Sequence, residues 1–308
     1  MNRRVIITLL SVGVSIILAL GGVGLYKIHT LKLQAQELLN SKLYTLASQA
    51  QSEGMDLKFL PFECDGLIYV ECRSKEVSLT HPLLSQEVLS LQNITLKAEE
   101  FDFATLGFVF DADVLPPKIA ELEEYFKTIF PHHINLKMKF FADGGEKYGI
   151  DGRLVFEAEK INYQEDFQAS IPQTKSFLSS ISSLDFLQEE MDVKNITLTL
   201  TSKGLSEAVY EIVKKKYGGI GKREYLALAN LMVGASMMRF EGNKEIQDMI
   251  AGAGALALGE ADEMKIFVKA KNGAKLIPQE LLEANKDKAL DEIFEKYDFE
   301  TRLEKVAK

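Results

Sequence analysis

The chain has 308 residues, of which 46% are hydrophobic and 26% are charged, and its formal net charge is −9. That length allows one large domain or two small ones. The acidic balance argues against nucleic-acid binding, which requires clustered Lys and Arg, and against wide electrostatic adhesion to an anionic lipid surface.

The first predicted element is a membrane anchor. The run Val5–Tyr26 carries no charge, and at a rise of about 1.5 Å per residue its length spans a hydrocarbon core of about 30 Å. Arg3 and Arg4 precede the run, and a long body with both cysteines follows it. We therefore predict a cytoplasmic N-terminus and a body outside the cytoplasm. A cleaved signal peptide is the alternative, with Ala19–Gly21 as its cleavage site, although the apolar region of such peptides typically has about 7–15 residues.

An amphipathic stalk helix is predicted next. Apolar residues recur at three- and four-residue steps over residues 28–50, and Gly54 is a residue type that favours a helix end. Short strands are predicted over residues 57–79, and longer strands over residues 88–98 and 101–110. The body therefore begins with a strand-rich stretch.

The clearest strand pattern lies in a predicted hairpin. Four apolar residues alternate strictly with polar ones on its first strand, and two more alternate on the returning strand: Ile134, Leu136, Met138, Phe140, Leu154 and Phe156. Because alternate residues of a strand share one face, these six predict an apolar face of a sheet. If no helix covers that face, it forms an apolar groove.

Helical periodicity dominates the later part of the chain. A helix is predicted from Pro116 to about Phe130, and residues 205–258 have helical periodicity almost throughout. A last strand is predicted over Met264–Ala270, and Pro278 opens a C-terminal helix that reaches about Lys305.

These elements predict an α+β fold. A single N-terminal transmembrane helix is followed by a mostly antiparallel, curved sheet with a helical block near the C-terminus. The expected domains are a cytoplasmic tip and transmembrane anchor (1–26), an amphipathic stalk helix (27–53), a β-rich periplasmic body (54–203) and a helical block packed on the body (204–308). The last of these contains one strand and the C-terminal helix.

The cysteine pair is the strongest local signal. Cys64 and Cys72 are the two cysteines of the chain and are close in sequence. Outside the cytoplasm an even pair in a strand–turn region predicts a structural disulfide. A redox-active pair is not expected, because the spacing is not Cys-x-x-Cys.

No catalytic or metal-binding motif is recognisable. Gly-x-Ser-x-Gly and a helical His-Glu-x-x-His are absent from the sequence. His132 and His133 are adjacent, and on a strand their side chains point to opposite faces. The sequence therefore predicts a protein that is not an enzyme, with no cofactor and no metal.

The layout of the chain resembles a family. The anchor Val5–Tyr26, the alternating strands and the C-terminal run ITLTLTSKGLSEAVYEIVKKKYGG … MKIFVKAKNGAKL are similar to bacterial single-pass envelope proteins of the AsmA-like and YdgA-like kind. The resemblance implies a β-rich periplasmic body behind one inner-membrane helix. It concerns layout rather than motifs, so it transfers no functional residue.

The expected function is therefore non-catalytic. We predict a membrane-anchored periplasmic protein that binds a ligand or maintains the bacterial envelope, in association with lipid if the apolar sheet face forms a groove. Helices over residues 205–258 covering that face would instead leave a closed core. The alternative function is a protein–protein scaffold or assembly factor tethered to the inner membrane.

Overall fold

The computed structural model describes residues 28–52, 54–66, 69–81, 86–101, 105–116, 128–142, 147–172, 190–271, 273–275 and 293–305. The predicted anchor Val5–Tyr26 lies outside these residues, as do most of the predicted helix that begins at Pro116 and the start of the one at Pro278. Within the described ranges no helix is both long enough and apolar enough to cross a membrane.

One antiparallel sheet of eleven strands organises the described chain. Its strands are β1 (Asp56–Phe59), β2 (Glu63–Asp65), β3 (Glu71–His81), β4 (Gln86–Phe101), β5 (Thr105–Leu115), β6 (Pro131–Ala142), β7 (Lys147–Ala158), β8 (Ile161–Pro172), β9 (Asp192–Ser202), β10 (Glu263–Ala270) and β11 (Tyr297–Glu304). From β3 to β11 every strand pairs with the next along the chain, and β1 and β2 both pair with β3. The sheet is therefore a long meander, the simplest antiparallel topology.

The register aligns apolar side chains across the sheet. Phe110 on β5 is opposite Leu136 on β6, which in turn is opposite Leu154 on β7. Further along, Leu198 on β9 is opposite Ile266 on β10. Because the side-chain period of a strand is two, this register gives one face of the sheet rows of apolar residues and the other face mostly polar ones.

The first helix covers one end of the apolar face. This helix, α1 (Ile28–Ser52), buries five apolar residues at three- and four-residue steps: Ala35, Leu39, Leu43, Leu46 and Ala50. They belong to a core cluster that also contains buried side chains of β3 to β8. Burying this helical stripe against the sheet gives the region its hydrophobic stabilisation.

Polar side chains of α1 hold the segment that leads into β2. Asn40 donates from Nδ2 to the carbonyl oxygen of Phe62 (3.1 Å) and accepts from its backbone N–H (2.8 Å). Gln36, one turn earlier, accepts from the N–H of Cys64 at 3.0 Å. Lys32, one turn earlier still, donates to Asp65 at 3.0 Å. The residues at i, i+4 and i+8 lie on one helix face, so they contact Phe62, Cys64 and Asp65 along the extended segment.

Three helices lie in the connection between the neighbouring strands β9 and β10. They are α2 (Leu205–Lys216), α3 (Lys222–Met238) and α4 (Lys244–Leu258). The small residues of α4 allow close packing, since a Cβ built on Gly252 would lie 2.4 Å from the sulfur of Met264 on β10. Ala255 and Leu256 join Met264 and neighbouring β10 side chains in a second core cluster. The helices thus cover the β10–β11 end of the sheet.

The predicted fold class is wrong. Among the described residues, one large antiparallel sheet with a few helices takes the place of the predicted α+β fold with a helical block near the C-terminus. The expected helical block is an insertion within the meander, because β10 and β11 continue the sheet beyond β9. β9 and β10 pair across the three helices that connect them, and local periodicity does not report such a pairing.

The prediction of a C-terminal helix that reaches Lys305 is also wrong over its last residues. Residues Tyr297–Glu304 form β11, which pairs with β10 along its whole length. Phe299 and Thr301 are opposite Val268 and Ile266. Pairing with the apolar strand β10 gives this segment its strand conformation, because tertiary contacts can override mixed local propensity.

Candidate functional site

The six residues of the predicted apolar groove lie on one face of the β6–β7 hairpin. Ile134 is opposite Phe156, Leu136 is opposite Leu154, and Phe140 is opposite Ile150. Met138 has Gly152 as its partner across the hairpin. The two strands therefore present one continuous apolar surface.

Phe140 is core rather than surface. Only 1% of its area is exposed, and its ring stacks on that of Phe108 with centroids 6.0 Å apart. Ile134, Leu136 and Met138 are half-buried at the margin of the same cluster. The candidate groove is thus closed at Phe140 and open towards the middle of the hairpin.

A half-buried region lies between the β6 side chains of the first core cluster and the β9 side chains of the second. We call it the central patch, and define it as Leu136, Met138, Leu154, Phe156, Tyr163, Glu165, Phe167, Ile196 and Leu198. Leu154, Phe156 and Tyr163 belong to neither cluster among the described residues. The patch extends from β6 to β9, which is about 14 Å at normal strand spacing.

A tyrosine and a carboxylate lie inside the central patch. Glu165 is opposite Leu154 on one side and Leu198 on the other, so its side chain shares the apolar face. The Tyr163 hydroxyl donates to Glu165 Oε2 at 2.8 Å. Burial and the adjacent Glu165 charge raise the pKa of Tyr163 well above its usual range. The phenol therefore stays protonated at neutral pH, and the carboxylate keeps acceptor capacity for a hydroxyl or ammonium group of a ligand.

A glycine shapes the floor of the patch. A Cβ built on Gly152 would lie 2.1 Å from the ring of Phe167 on β8. The ring therefore occupies the space above the β7 backbone, where any side chain would displace it. In the register of the sheet, Gly152 lies between Met138 on β6 and Phe167 on β8.

The predicted cysteine pair is joined by a disulfide. Cys64 on β2 is directly opposite Cys72 on β3, with Cα atoms 3.9 Å apart. Cys72 is fully buried in the first core cluster. The bond attaches the short strand β2, whose other side α1 contacts, to the edge of the sheet.

The opposite, polar face carries a hydrogen-bonded cluster around His133. Its ring nitrogens lie 3.1 Å from Asp111 Oδ2 and 3.3 Å from Asp113 Oδ1. Asn93 donates to Asp113 at 2.7 Å, and Asn135 donates to Asp111 at 3.0 Å. Within the described part of the chain, no three His, Cys, Asp or Glu side chains are grouped as a metal ion requires. The cluster links β4, β5 and β6 across the sheet surface.

Sequence reasoning missed Tyr163, Glu165 and the β9 residues of the patch. A signal was present, since Tyr163, Glu165 and Phe167 alternate along β8 and must share a face. The partners of β8 could not be identified, because the register that brings Leu198 beside Glu165 arises only in the folded sheet.

No protein-family model matches the chain, and no curated protein sequence matches it.

Proposed function

We propose that this protein is a non-catalytic lipid-binding protein of the bacterial envelope, and that an acyl chain lies on the central patch. In this proposal the uncharged run Val5–Tyr26 anchors the protein in the inner membrane and the sheet lies in the periplasm. The observation that carries the proposal is the half-buried apolar surface of Leu154, Phe156 and their neighbours between two closed clusters.

The chemistry of the patch supports an amphiphilic ligand. Apolar side chains line it, and Glu165 is a hydrogen-bond acceptor inside it. A carboxylate on an apolar surface is unfavourable unless it has partners. A lipid with a hydroxyl or ammonium group near its acyl chains would supply one beyond Tyr163.

The disulfide supports the periplasmic location. Disulfides persist in oxidising compartments and are rare in the bacterial cytoplasm, and the Cys64–Cys72 bond joins the two cysteines of the chain. An alkaline phosphatase fusion to the C-terminus tests this location independently of lipid binding. An active fusion is expected, whereas activity of a cytoplasmic reporter at the same point would contradict the proposed orientation.

Photo-crosslinking in living cells tests whether an acyl chain lies on the central patch. Benzoyl-phenylalanine replaces Phe156 in one variant and Val155 in a matched control. Adjacent residues of a strand point to opposite faces of the sheet. The two probes are therefore close together along β7 but lie on opposite faces. With acyl chains metabolically labelled, irradiation is expected to attach label to the protein with the probe at 156 and not at 155.

Other outcomes discriminate against the proposal. Equal labelling at both positions would indicate contact with bulk lipid rather than binding on the patch. Cross-linking of a protein at position 156, without lipid label, would favour the tethered scaffold. Absence of any adduct at 156 in correctly folded protein would show that the patch takes no lipid.

A further inference from the structure

Helix α3 exposes an apolar stripe that the sheet does not use. Leu231, Met232 and Met238 are 69%, 63% and 78% exposed, and Leu228 is also exposed. At about 100° per residue these side chains lie within an arc of about 120°. The opposite side of α3 packs on α4, where a Cβ built on Gly254 would lie 2.7 Å from Val233. The helix is therefore held by one face and presents the other outwards.

The exposed stripe has no charged residue within it. From Tyr225 to Met238 the sequence contains no Asp, Glu, Lys or Arg. Surface helices of globular proteins normally carry charged residues on the outward face. An outward helix face that is apolar and uncharged marks an interaction surface.

A basic corner lies where α2 ends and α3 begins, before the first residue of the stripe. It consists of Lys214, Lys215 and Lys216 at the end of α2 and Lys222 and Arg223 at the start of α3. Residues 205–240 contain six basic and three acidic side chains, although the whole chain has a net charge of −9. Within the corner, Lys214 pairs with Glu211 and Lys222 pairs with Glu207. The ammonium groups of these two lysines also lie 5.5 and 5.9 Å from the ring centroid of Tyr210.

We propose that α3 docks on an anionic lipid bilayer, with Leu231, Met232 and Met238 in the interface and the basic corner against lipid phosphates. Interfacial helices combine these two features, an apolar face that enters the headgroup region by about 5–10 Å and adjacent Lys and Arg. The exposed Tyr217, between the two basic groups, adds an aromatic side chain of the type enriched at such interfaces. The surface is separate from the central patch, so its function does not depend on lipid binding there.

The absence of tryptophan from the chain provides a specific test. Leu231→Trp places a single fluorophore on the stripe of the full-length protein. The protein is reconstituted by detergent removal into vesicles that contain brominated phosphatidylcholine, with or without phosphatidylglycerol. We expect blue-shifted emission and strong quenching in the anionic vesicles, and weaker quenching in the neutral ones. Tyr44→Trp on α1, at a residue that is 61% exposed, is the matched control and should remain unquenched.

Charge reversal tests the basic corner. Each basic residue near an anionic membrane surface strengthens binding about fivefold, the equivalent of about 1 kcal/mol. Lys216→Glu with Arg223→Glu, in the Leu231→Trp background, should therefore lower the ratio of docked to undocked protein by about 25-fold or more. Lys58→Glu with Lys75→Glu, exposed residues of β1 and β3, should leave the quenching unchanged.

Three results would overturn the proposal. Red-shifted, unquenched emission would show that the stripe stays in water. A blue shift without quenching by the brominated lipid would show that protein covers the stripe, either a second copy or another part of the same chain. Equal quenching in neutral and anionic vesicles would remove the role of the basic corner.

Discussion

Phe140 and Leu154 share one face of the β6–β7 hairpin but differ in their surroundings. Phe140 is fully buried against Phe108, whereas Leu154 belongs to neither core cluster among the described residues. Phe140→Ala should lower the free energy of unfolding by about 3–5 kcal/mol through lost burial and a cavity. Leu154→Ala should lower it by less than about 2 kcal/mol. Urea-induced unfolding of both variants measures the difference, and equal losses would show that the central patch is closed core.

Gly152 is expected to tolerate no side chain. Gly152→Ala would place a methyl group against the Phe167 ring, so stability should fall by about 1–3 kcal/mol through overpacking. Gly234→Ala on α3, with nothing within 4 Å of the new Cβ, should stabilise by up to about 1 kcal/mol through helix propensity. Chemical denaturation of each variant tests this pair. If Gly152→Ala combined with Phe167→Leu does not recover part of the loss, the ring contact is not the cause.

At the scale of elements, the attachment of α1 to the sheet depends on Asn40. Its amide makes two hydrogen bonds with the backbone of Phe62, which is fully buried. Asn40→Ala leaves both backbone groups without these partners, so we expect a loss of about 2–4 kcal/mol. Ser48→Ala, which removes only a bond to the preceding turn of the same helix, is the control and should change stability little.

Hydrogen exchange gives the Asn40 prediction a local measurement. The amide of Phe62 should exchange much faster in Asn40→Ala, while the amides of the β6–β7 hairpin stay protected. Uniform acceleration over the whole sheet would contradict a local role for this contact.

The edge strand β2 depends on the disulfide. Reducing a loop closed by residues eight apart should lower stability by about 2–3 kcal/mol in the chain-entropy model. Cys72→Ser should cost more than Cys64→Ser, since position 72 is fully buried and position 64 is half-buried. The extra loss is expected because a buried hydroxyl needs a hydrogen-bond partner. Thermal unfolding of the two variants compares them, and an equal loss would assign the whole effect to the bond.

For the whole molecule, acidic pH should lower the stability that carboxylates on the polar surface contribute to the fold. Hydrogen bonds from Asn93 and His133 lower the pKa of Asp113 below its usual value of 3.8, and contacts with Lys32 and Arg302 lower those of Asp65 and Glu300. A folded-state pKa below the unfolded value means that the unfolded chain binds protons more readily. The contribution of these carboxylates to the free energy of unfolding is therefore present above the pKa of the unfolded state. It is lost as the pH falls through the pKa of the folded state.

Asp113→Asn tests this pH dependence. The free-energy difference between wild type and variant should be present at about pH 5 and should close as pH falls towards about 2. Asp248→Asn, on the exposed face of α4, is the control. A difference that is constant over this range would show that hydrogen bonding alone, without the charge, accounts for the role of Asp113.

Local patterns determined several features of this molecule by themselves. Alternation placed Ile134, Leu136 and Met138 on one face, because a two-residue period is a property of any strand. Helical periodicity identified α1 over residues 28–50, since one stripe of a helix must be buried. The cysteine spacing selected Cys64 and Cys72, because a short separation across a turn brings two strands together.

Only the tertiary structure decided the order of the strands and the composition of the central patch. β10 pairs with β9 across three helices, and residues Tyr297–Glu304 become a strand only beside β10. Glu165 acquires its apolar neighbours Leu154 and Leu198 through pairing with β7 and β9. The physical reason is that strand hydrogen bonds are made with other segments, so a strand's partners and register are not encoded in its own residues.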